Sequence, residues 1–506
     1  MNVRVLSAVL FGIDGIPVDV EVDLHPGVGH FDIVGLPEAC VRESKVRVLS
    51  ALRNLGYRAG SRWITVNLAP ADVRKHGSLY DLPVALGVLA CMEAFPASSL
   101  ANRTVIGELS LDGLVRPVPG VLPMVSAARE RGVTEVIVPA ANAGEAAVVR
   151  GIRCLAATTL DEIIAFMAGN GTLPEVTPDG ALAPCRPAFD LADVCGQAHV
   201  KRALEIAAAG RHNLLMIGPP GSGKTMLARR IVTILPDLTY DEALETTKVH
   251  SVAGLLRRRS GLVSVRPFRA PHHTGSAASI AGGGSHPRPG EVSLAHNGVL
   301  FADELPEWRR DVLEVLRQPV EDRVVTITRA AGAVTFPADF LLVGAMNPCP
   351  CGWLSDPRHR CSCTPPEVAR YRSRVSGPLM DRMDLHVEVP AVPFRDLSRR
   401  GTGETSEAVR SRVVAAAGIQ AERLAGSGAR FNGRMDPARV AAFCRIPPEA
   451  TRLLEAAMDR LGLSARAVDR VLKVARTIAD LEAADDISAV HVSEAIQYRL
   501  LDRMAT

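Results

Sequence analysis

Three short hydrophobic runs, each followed by glycine or by polar residues, mark the middle of this chain. The runs Leu214 to Ile217, Gly298 to Ala302 and Phe340 to Ala345 hold no charged residue. Apolar runs of this length, bounded by glycine or acidic residues, are typical of strands buried on both faces of a parallel sheet. The first run also leads into a helical pattern that ends near Leu235. The pattern therefore predicts an α/β core with a parallel sheet.

The first run continues into a glycine-rich stretch with the spacing of a P-loop. Its residues are Gly218, Pro219, Pro220, Gly221, Ser222, Gly223, Lys224 and Thr225. The glycines let successive backbone N–H groups surround phosphate oxygens at a helix N-terminus. We expect Lys224 to reach the β- and γ-phosphates and the Thr225 hydroxyl to hold Mg²⁺. The alternative is a glycine turn that binds nothing. Because every fixed position of the motif matches, and the motif lies between a predicted strand and a predicted helix, we expect ATP and Mg²⁺ as cofactors.

The other two runs deliver the polar groups that a phosphate site needs. Asp303 and Glu304 follow the second run, in the arrangement called Walker B. Asp303 is expected in the Mg²⁺ shell and Glu304 is expected to polarise the attacking water. The alternative is a solvated acidic turn. Asn347 follows the third run, at a position that resembles sensor 1 of AAA+ ATPases, where it would orient the same water.

Further motifs extend this resemblance over essentially the whole chain. They are Arg266 to Thr274 (RPFRAPHHT), Pro289 to His296 (PGEVSLAH) and Ser376 to His386 (SGPLMDRMDLH). With them the chain resembles the magnesium-chelatase-like AAA+ family of the ComM/YifB type. The resemblance implies an insertion in the second helix of the ATPase core and a hairpin near Val324 to Phe336, both projecting toward the pore of a ring. One departure is Ala302, where the family usually has leucine.

Two arginines are assigned catalytic roles by resemblance. Arg382 lies in a segment similar to the arginine-finger segment of minichromosome maintenance helicases, with Arg374 as the rival candidate. A surface arginine paired with Asp381 or Asp384 is the alternative reading. Arg466 lies in a turn that resembles the family's sensor 2, where it would face the γ-phosphate. The predicted catalytic residues are therefore Glu304, Arg382, Asn347 and Arg466.

Four of the ten cysteines lie close together in the sequence. Cys349 and Cys351 form one C-x-C pair, and Cys361 and Cys363 form another. Four thiolates around Zn²⁺ would staple a loop that has almost no core of its own. Because each pair is tighter than usual zinc spacing, His359 is an alternative ligand for one of them. Disulfides are the alternative in an oxidising compartment.

The first 168 residues alternate strand-like and helix-like segments and form a predicted α/β or α+β domain. Their motifs, Thr65 to Asp72, Lys75 to Pro83 and Gly107 to Gly113, resemble the Lon protease domain. Lon-type proteolysis needs a serine activated by a lysine. Those positions fall on Leu79 and Pro123, although Ser78 is one residue away. We therefore expect a non-proteolytic relative used for ring assembly or substrate contact.

The chain divides into four predicted segments. They are a Lon-like domain 1–168, a proline-containing linker 169–189, an AAA+ core 190–395 with the Cys-rich loop 349–363, and a helical lid 396–506. The 506 residues carry a net charge of only +3, so contacts with nucleic acid must come from local patches. No apolar stretch reaches the length of a membrane span, and we expect a soluble, cytoplasmic protein.

The resemblance implies a ring motor that hydrolyses ATP and acts on DNA. We expect the ring to be a hexamer. ComM-like proteins are implicated in branch migration during recombination of transforming DNA. The channel-facing residues would bind single-stranded or branched DNA without reading its sequence; they are Arg266, Arg269, His272, His273 and Arg329. The alternatives are a chelatase subunit that drives metal insertion into a porphyrin, and a protein-remodelling ATPase. The Lon-like front and the cysteine array argue against the chelatase.

Overall fold

The protein is described from a computed structural model over residues 2–58, 60–177, 189–256, 261–284, 287–329, 332–354, 356, 358–392 and 403–500. Two compact units are formed, one from 1–183 with 240–263 and the other from 184–239 with 264–506. Most of the predicted linker, 178–188, lies outside the described residues. The division into four segments stays a prediction.

The strands and helices of the described residues are numbered in chain order. The strands are β1 Asn2–Phe11, β2 Asp14–Pro26, β3 His30–Val34, β4 Arg62–Ala69, β5 Arg103–Val105, β6 Glu108–Leu109, β7 Val115–Arg116, β8 Glu135–Pro139, β9 Arg153–Ala157, β10 Leu214–Ile217, β11 Phe268–Arg269, β12 Gly282–Gly283, β13 Arg288–Pro289, β14 Val299–Ala302, β15 Val324–Arg329, β16 Gly332–Pro337, β17 Leu341–Met346 and β18 Leu385–Glu388. The α-helices are α1 Ala39–Arg42, α2 Ser44–Asn54, α3 Asp81–Cys91, α4 Val121–Glu130, α5 Ala143–Ala146, α6 Leu160–Met167, α7 Ala198–Gly210, α8 Lys224–Ile234, α9 Tyr240–Val252, α10 Ala277–Ala281, α11 Glu291–Leu294, α12 Arg310–Asp322, α13 Pro365–Arg372, α14 Gly377–Met380, α15 Ser406–Arg423, α16 Pro437–Phe443, α17 Pro448–Leu461, α18 Ala465–Leu481 and α19 Ala489–Gln497. Short 3-10 helices are Ala97–Leu100, Ala140–Asn142, Leu191–Asp193, Leu305–Glu307 and Asn432–Arg434.

The first unit is built on a mixed seven-stranded sheet. Its strand order is β3-β4-β2-β1-β5-β8-β9, and β2 runs antiparallel to both of its neighbours. The alternating valines of β2 point into the core, and Val18, Val20 and Val22 are fully buried. Helices α1 and α2 are separated by the single residue Glu43.

Helix α9 belongs to the first unit although it follows the P-loop helix in sequence. The Ser251 hydroxyl donates to the buried Glu145 carboxylate at 2.7 Å, and the Tyr240 hydroxyl donates to the Val148 carbonyl at 3.2 Å. Burial raises the pKa of Glu145, while the hydrogen bond from Ser251 lowers it. These polar contacts fix α9 to this unit.

The second unit is built on a five-stranded parallel sheet with the order β11-β14-β17-β10-β18. The three apolar runs form β10, β14 and β17, as predicted, and all three are almost wholly buried. In a parallel sheet the carboxyl ends of the strands lie along one edge, where α/β proteins bind ligands. The residues that follow β10, β14 and β17 are therefore neighbours.

The described residues from 264 to 294 form only short regular elements. Helices α10 and α11 flank the two-stranded pair β12–β13. This arrangement agrees with the helix insertion that the resemblance implies. The predicted hairpin is also present as β15 paired with β16, and Arg329 pairs with Gly332 at its end.

The C-terminal part is helical, as predicted, and shares a hydrophobic core with the parallel sheet and α7. Gly462 ends α17 with a φ of 66°, and the Ser464 side chain caps α18 by accepting from the Ala467 N–H. The last described helix ends at Gln497, and residues 501–506 lie outside the described part. Among the described helices, none has the length and apolar character needed to cross a membrane.

Candidate nucleotide site and cysteine cluster

The P-loop follows β10, an interior strand of the parallel sheet that pairs with both β17 and β18. Gly221 and Gly223 have φ values of 74° and 90°, which glycine adopts without strain. Gly218 lies so close to the chain after β18 that an added Cβ would be 2.1 Å from the Val389 oxygen. The three glycines are thus required by the path of the loop.

The Lys224 ammonium contacts residues that follow two different strands, β10 and β17. It donates to the carbonyls of Gly218 and Pro219 at 2.7 and 2.9 Å, and to the Asn347 side-chain oxygen at 3.3 Å. The side chain is buried, and desolvation lowers its pKa, whereas the charges of Asp303 and Glu304 raise it. The P-loop lysine and the predicted sensor-1 amide therefore lie together.

The predicted magnesium ligands also lie together. The Thr225 hydroxyl donates to the Asp303 carboxylate at 2.8 Å. Two further bonds fix the aspartate, because its other oxygen accepts from the Glu304 N–H at 2.9 Å and its carbonyl accepts from the Trp308 indole at 2.8 Å. A hydroxyl beside a carboxylate at a P-loop is an oxygen-donor set that suits Mg²⁺.

Glu304 has a backbone conformation that is unusual for a residue with a side chain. Its φ is 49°, in the left-handed region. Its carboxylate contacts the imidazole Nδ1 of His273 at 3.0 Å. The ring of His273 lies against that of His272, with the centroids 4.2 Å apart.

The sequence analysis missed the contact between His273 and Glu304, although the sheet register explains it. Strand β11 is the parallel neighbour of β14, and Arg269 pairs with Leu300. His273 and Glu304 each lie four residues beyond that pair, so they leave the same edge of the sheet side by side. Knowledge that β11 is a strand would have indicated the contact.

Two of the arginines predicted to face a channel have other contacts. Arg266 is buried, and its guanidinium donates to the carbonyls of Pro236, Asn297 and Asp237 at 2.6, 2.7 and 3.1 Å. Arg269 forms a two-bond ion pair with Glu291, at 2.7 Å for each bond. The prediction that Arg266 offers a cation to DNA is wrong, because its charge satisfies buried carbonyls. The charge of Arg269 is neutralised by Glu291.

The structure brings the two predicted catalytic arginines together at Glu321 on α12. Arg382 donates to the Glu321 carboxylate and, at 2.6 Å, to the Pro378 carbonyl. The hydrogen bond from Arg382 lowers the pKa of Glu321, and the charge of Arg466 acts in the same direction. Within the described residues, neither arginine is hydrogen-bonded or ion-paired to 218–225. The rival candidate, Arg374, pairs with Glu307 at 3.0 Å.

The four cysteine sulfurs converge on one point, with all of them within 4.8 Å of one another. The sulfur of Cys349 lies 3.4 Å from that of Cys351 and 3.7 Å from that of Cys361. These separations exceed the roughly 2.05 Å of a disulfide. They approach the separation of about 3.8 Å that tetrahedral zinc–sulfur bonds of about 2.3 Å require. The residues therefore fit a Cys₄ zinc site.

His359 does not belong to this group of sulfurs. Its Nδ1 contacts the Asp356 carboxylate at 3.2 Å, and its ring lies 4.1 Å from that of Trp353. The four cysteines are the group of metal-ligating side chains that the described residues form. The alternative with a histidine ligand is thus not supported.

In the first unit, the serine nearest to the Lon motif has a carboxylate partner. The Ser78 hydroxyl donates to Glu108, and the Lys75 ammonium donates to the Pro70 carbonyl. Leu79 and Pro123 are both buried. The absence of proteolytic activity stays a prediction.

Comparison with known proteins covers almost the whole chain. Family models match residues 190–397 (magnesium chelatase, subunit ChlI), 20–142 (subunit ChlI of Mg-chelatase) and 403–499 (magnesium chelatase, subunit ChlI C-terminal). The protein YifB of Escherichia coli is 44% identical over 97% of this chain and 96% of its own length. Competence protein ComM of Haemophilus influenzae is 43% identical over 99% of this chain and 98% of its own length.

A more distant similarity covers about a quarter of the chain. Lon protease 2 of Bacillus subtilis is 27% identical over 27% of this chain and 26% of its own length. This finding fits the resemblance to the Lon protease domain that the motifs of the first 168 residues carry. The matches to YifB and ComM, at more than 40% identity along nearly the full length, establish that the chain belongs to the ComM/YifB family of magnesium-chelatase-like AAA+ proteins.

Proposed function

We propose that this protein is an ATP-hydrolysing ring motor that acts on DNA in the cytoplasm, with branch migration during recombination as its process. The observation that carries the ATPase part is the meeting of Lys224, Thr225, Asp303 and Asn347 at one edge of the parallel sheet. The similarity to a competence protein supports the DNA part. AAA+ cores work as rings, and we expect six subunits in the ring of this protein.

Each residue at this edge has a distinct role in the proposal. Lys224 and the P-loop N–H groups bind the β- and γ-phosphates, and Thr225 and Asp303 hold Mg²⁺, which neutralises charge on the phosphates. Glu304 accepts a proton from the attacking water, and Asn347 orients that water. Arg382 and Arg466 act on the nucleotide of a neighbouring subunit, because both lie at Glu321 and not at the P-loop of their own chain.

The two small hairpins supply the DNA contacts in this proposal. Arg288 is an exposed residue of β13, and Arg329 ends β15 at the turn of the β15–β16 hairpin. Cations on such loops from successive subunits bind the phosphate backbone without reading sequence. Arg329 is kept from the sequence analysis, and Arg288 is added because Arg266 and Arg269 have other partners.

Single-stranded or forked DNA is expected to stimulate ATP hydrolysis, and salt is expected to weaken this stimulation. Phosphate contacts release counterions, so the DNA concentration for half-maximal stimulation should rise at least about tenfold between roughly 50 and 200 mM salt. Steady-state ATPase assays with a DNA titration at each salt concentration measure this effect.

Arg288→Ala and Arg329→Ala should each weaken the stimulation and leave hydrolysis without DNA unchanged. Arg452→Ala is the matched control, since Arg452 is an exposed arginine of α17 away from both hairpins. Equal DNA titrations for all three variants would contradict the hairpin assignment. Stimulation by a porphyrin or a protein, with indifference to every form of DNA, would instead favour a chelatase or a remodelling ATPase.

His273→Ala is expected to raise hydrolysis without DNA by about two- to fivefold and to leave KM unchanged. The His273–Glu304 contact is partly exposed, and such contacts are worth roughly 0.5–1 kcal/mol. Its loss frees the carboxylate that activates water, without altering the phosphate site. His30→Ala is the control, because it removes a comparable exposed contact, of His30 with Asp32 at 2.8 Å, in the first unit. A parental kcat in His273→Ala would show that the contact does not restrain Glu304.

A further inference from the structure

The cysteine cluster follows a residue of the nucleotide site, Asn347, directly in the sequence. The loop that carries the four sulfurs begins directly after Asn347 and ends at α13. Cys349, two residues after Asn347, is fully buried, and its sulfur contacts those of Cys351 and Cys361. Closure of the cluster therefore fixes the chain immediately after the amide that contacts Lys224.

The same loop is attached to α13 on its other side. The Arg372 guanidinium donates twice to the Pro348 carbonyl, at 3.1 and 2.9 Å. The Asn347 backbone donates a hydrogen bond to the Tyr371 side chain of α13. This bond lowers the pKa of Tyr371, but burial outweighs it and raises that pKa to about 12. Asn347 is thus held between its own strand, α13 and the cysteine loop.

The loop also contacts the P-loop directly. Gly352 lies between the two cysteine pairs with a φ of 86°, and a Cβ added there would be 2.6 Å from the Pro220 ring. Pro220 lies within the phosphate-binding turn, two residues before Ser222. Backbone N–H groups of Trp353 and Ser362 donate hydrogen bonds to the Cys351 sulfur. The cluster and the P-loop therefore touch through Gly352.

We propose that Cys349, Cys351, Cys361 and Cys363 bind one zinc ion whose role is to brace the nucleotide site. The zinc staple holds Asn347 beside Lys224 and holds Gly352 against Pro220, so that the P-loop is preorganised for phosphate. Removal of the ion loosens both contacts and lowers the affinity for ATP. This inference rests on the proposed ATP binding at the P-loop, but not on hydrolysis or on DNA.

The first test measures metal and nucleotide affinity on the full chain. Protein made without an affinity tag and kept reduced should carry roughly one zinc per chain by elemental analysis. The Kd for a fluorescent ATP analogue should rise at least about tenfold when a chelator removes the ion, and should recover when zinc alone is returned. Recovery separates the effect from irreversible unfolding. Absence of zinc, or an unchanged Kd in the zinc-free protein, overturns the proposal.

Variants then test zinc binding by the cysteines separately from the contact through which the zinc acts on the P-loop. Cys361→Ser/Cys363→Ser should lose zinc and bind the analogue at least about tenfold more weakly. Cys40→Ser is the control, because Cys40 lies in the first unit and outside the cluster, and its sulfur accepts from the Gly77 N–H at 3.3 Å. Lys224→Ala shows the Kd for the analogue when the P-loop lysine is absent. If the parent protein has the same Kd as Lys224→Ala, the proposed ATP site is wrong. The zinc content still tests the cysteine cluster in that case.

Gly352→Ala tests the contact with Pro220 without changing a sulfur. It should keep its zinc and still show a higher Kd, because a Cβ at Gly352 meets the Pro220 ring. Gly426→Ala is the matched control, since Gly426 has a φ of 74° and no atom within 4 Å of an added Cβ. Equal affinities in these two variants would exclude the bracing route through Pro220.

Discussion

Glu304→Gln is expected to bind ATP with the parent's affinity and to hydrolyse it at least about 100-fold more slowly. The exchange keeps the size of the side chain and its position after β14, but it removes the group that accepts the proton from water. Thr225 still meets Asp303, and Lys224 still meets the P-loop carbonyls. Binding of an ATP analogue and single-turnover hydrolysis measure the two effects separately.

Two variants bracket this result. Lys224→Ala should lose ATP binding itself, because the ammonium that meets the phosphates is absent. Glu314→Gln removes an exposed acid of α12 that pairs with Arg317, and it should behave as the parent does. Hydrolysis by Glu304→Gln at the parental rate would show that another group activates the water.

The phosphate site could be predicted from the sequence because its parts are local. A buried strand, a turn of fixed length and a helix specify where Lys224 and Thr225 lie, and a parallel sheet brings Asp303 and Asn347 to the same edge. The cysteine cluster was predictable for the same reason, since both pairs lie in one loop. The choice between four cysteines and His359 was not, because it depends on the contact of His359 with Asp356.

The residues that were misplaced depend on contacts between distant parts of the chain. Arg266 has the sequence context of a loop cation, but the Pro236 and Asn297 carbonyls that it satisfies come from other segments. His273 was grouped with the DNA-contacting residues by resemblance alone, and β11 beside it has only two residues. A strand of that length gives no periodic pattern, so its register beside β14 was hidden.

The position of Arg382 gives the proposed ring its sharpest test. In its own chain Arg382 is tied to Glu321, with a side chain that is 14% exposed, and Glu321 is 56% exposed. Exchange of the Glu321 carboxylate for a phosphate oxygen of a neighbouring subunit keeps the guanidinium paired with an anion. Arginine fingers are typically worth about 10³–10⁵ in rate. Arg382→Ala rings should therefore be almost inactive while they still bind ATP.

Mixing two inactive variants distinguishes action on a neighbour from action within one chain. Arg382→Ala subunits keep the P-loop, and Lys224→Ala subunits keep the arginine, so a mixed ring contains interfaces that join an intact P-loop to an intact arginine. In a head-to-tail ring mixed at equal amounts, about a quarter of the interfaces have this composition, and up to that share of parental activity should return. Sedimentation confirms that mixed rings assemble, and Arg374→Ala in place of Arg382→Ala tests the rival arginine. Assembled mixtures that stay inactive at every ratio would exclude Arg382 as a finger supplied to the neighbouring subunit.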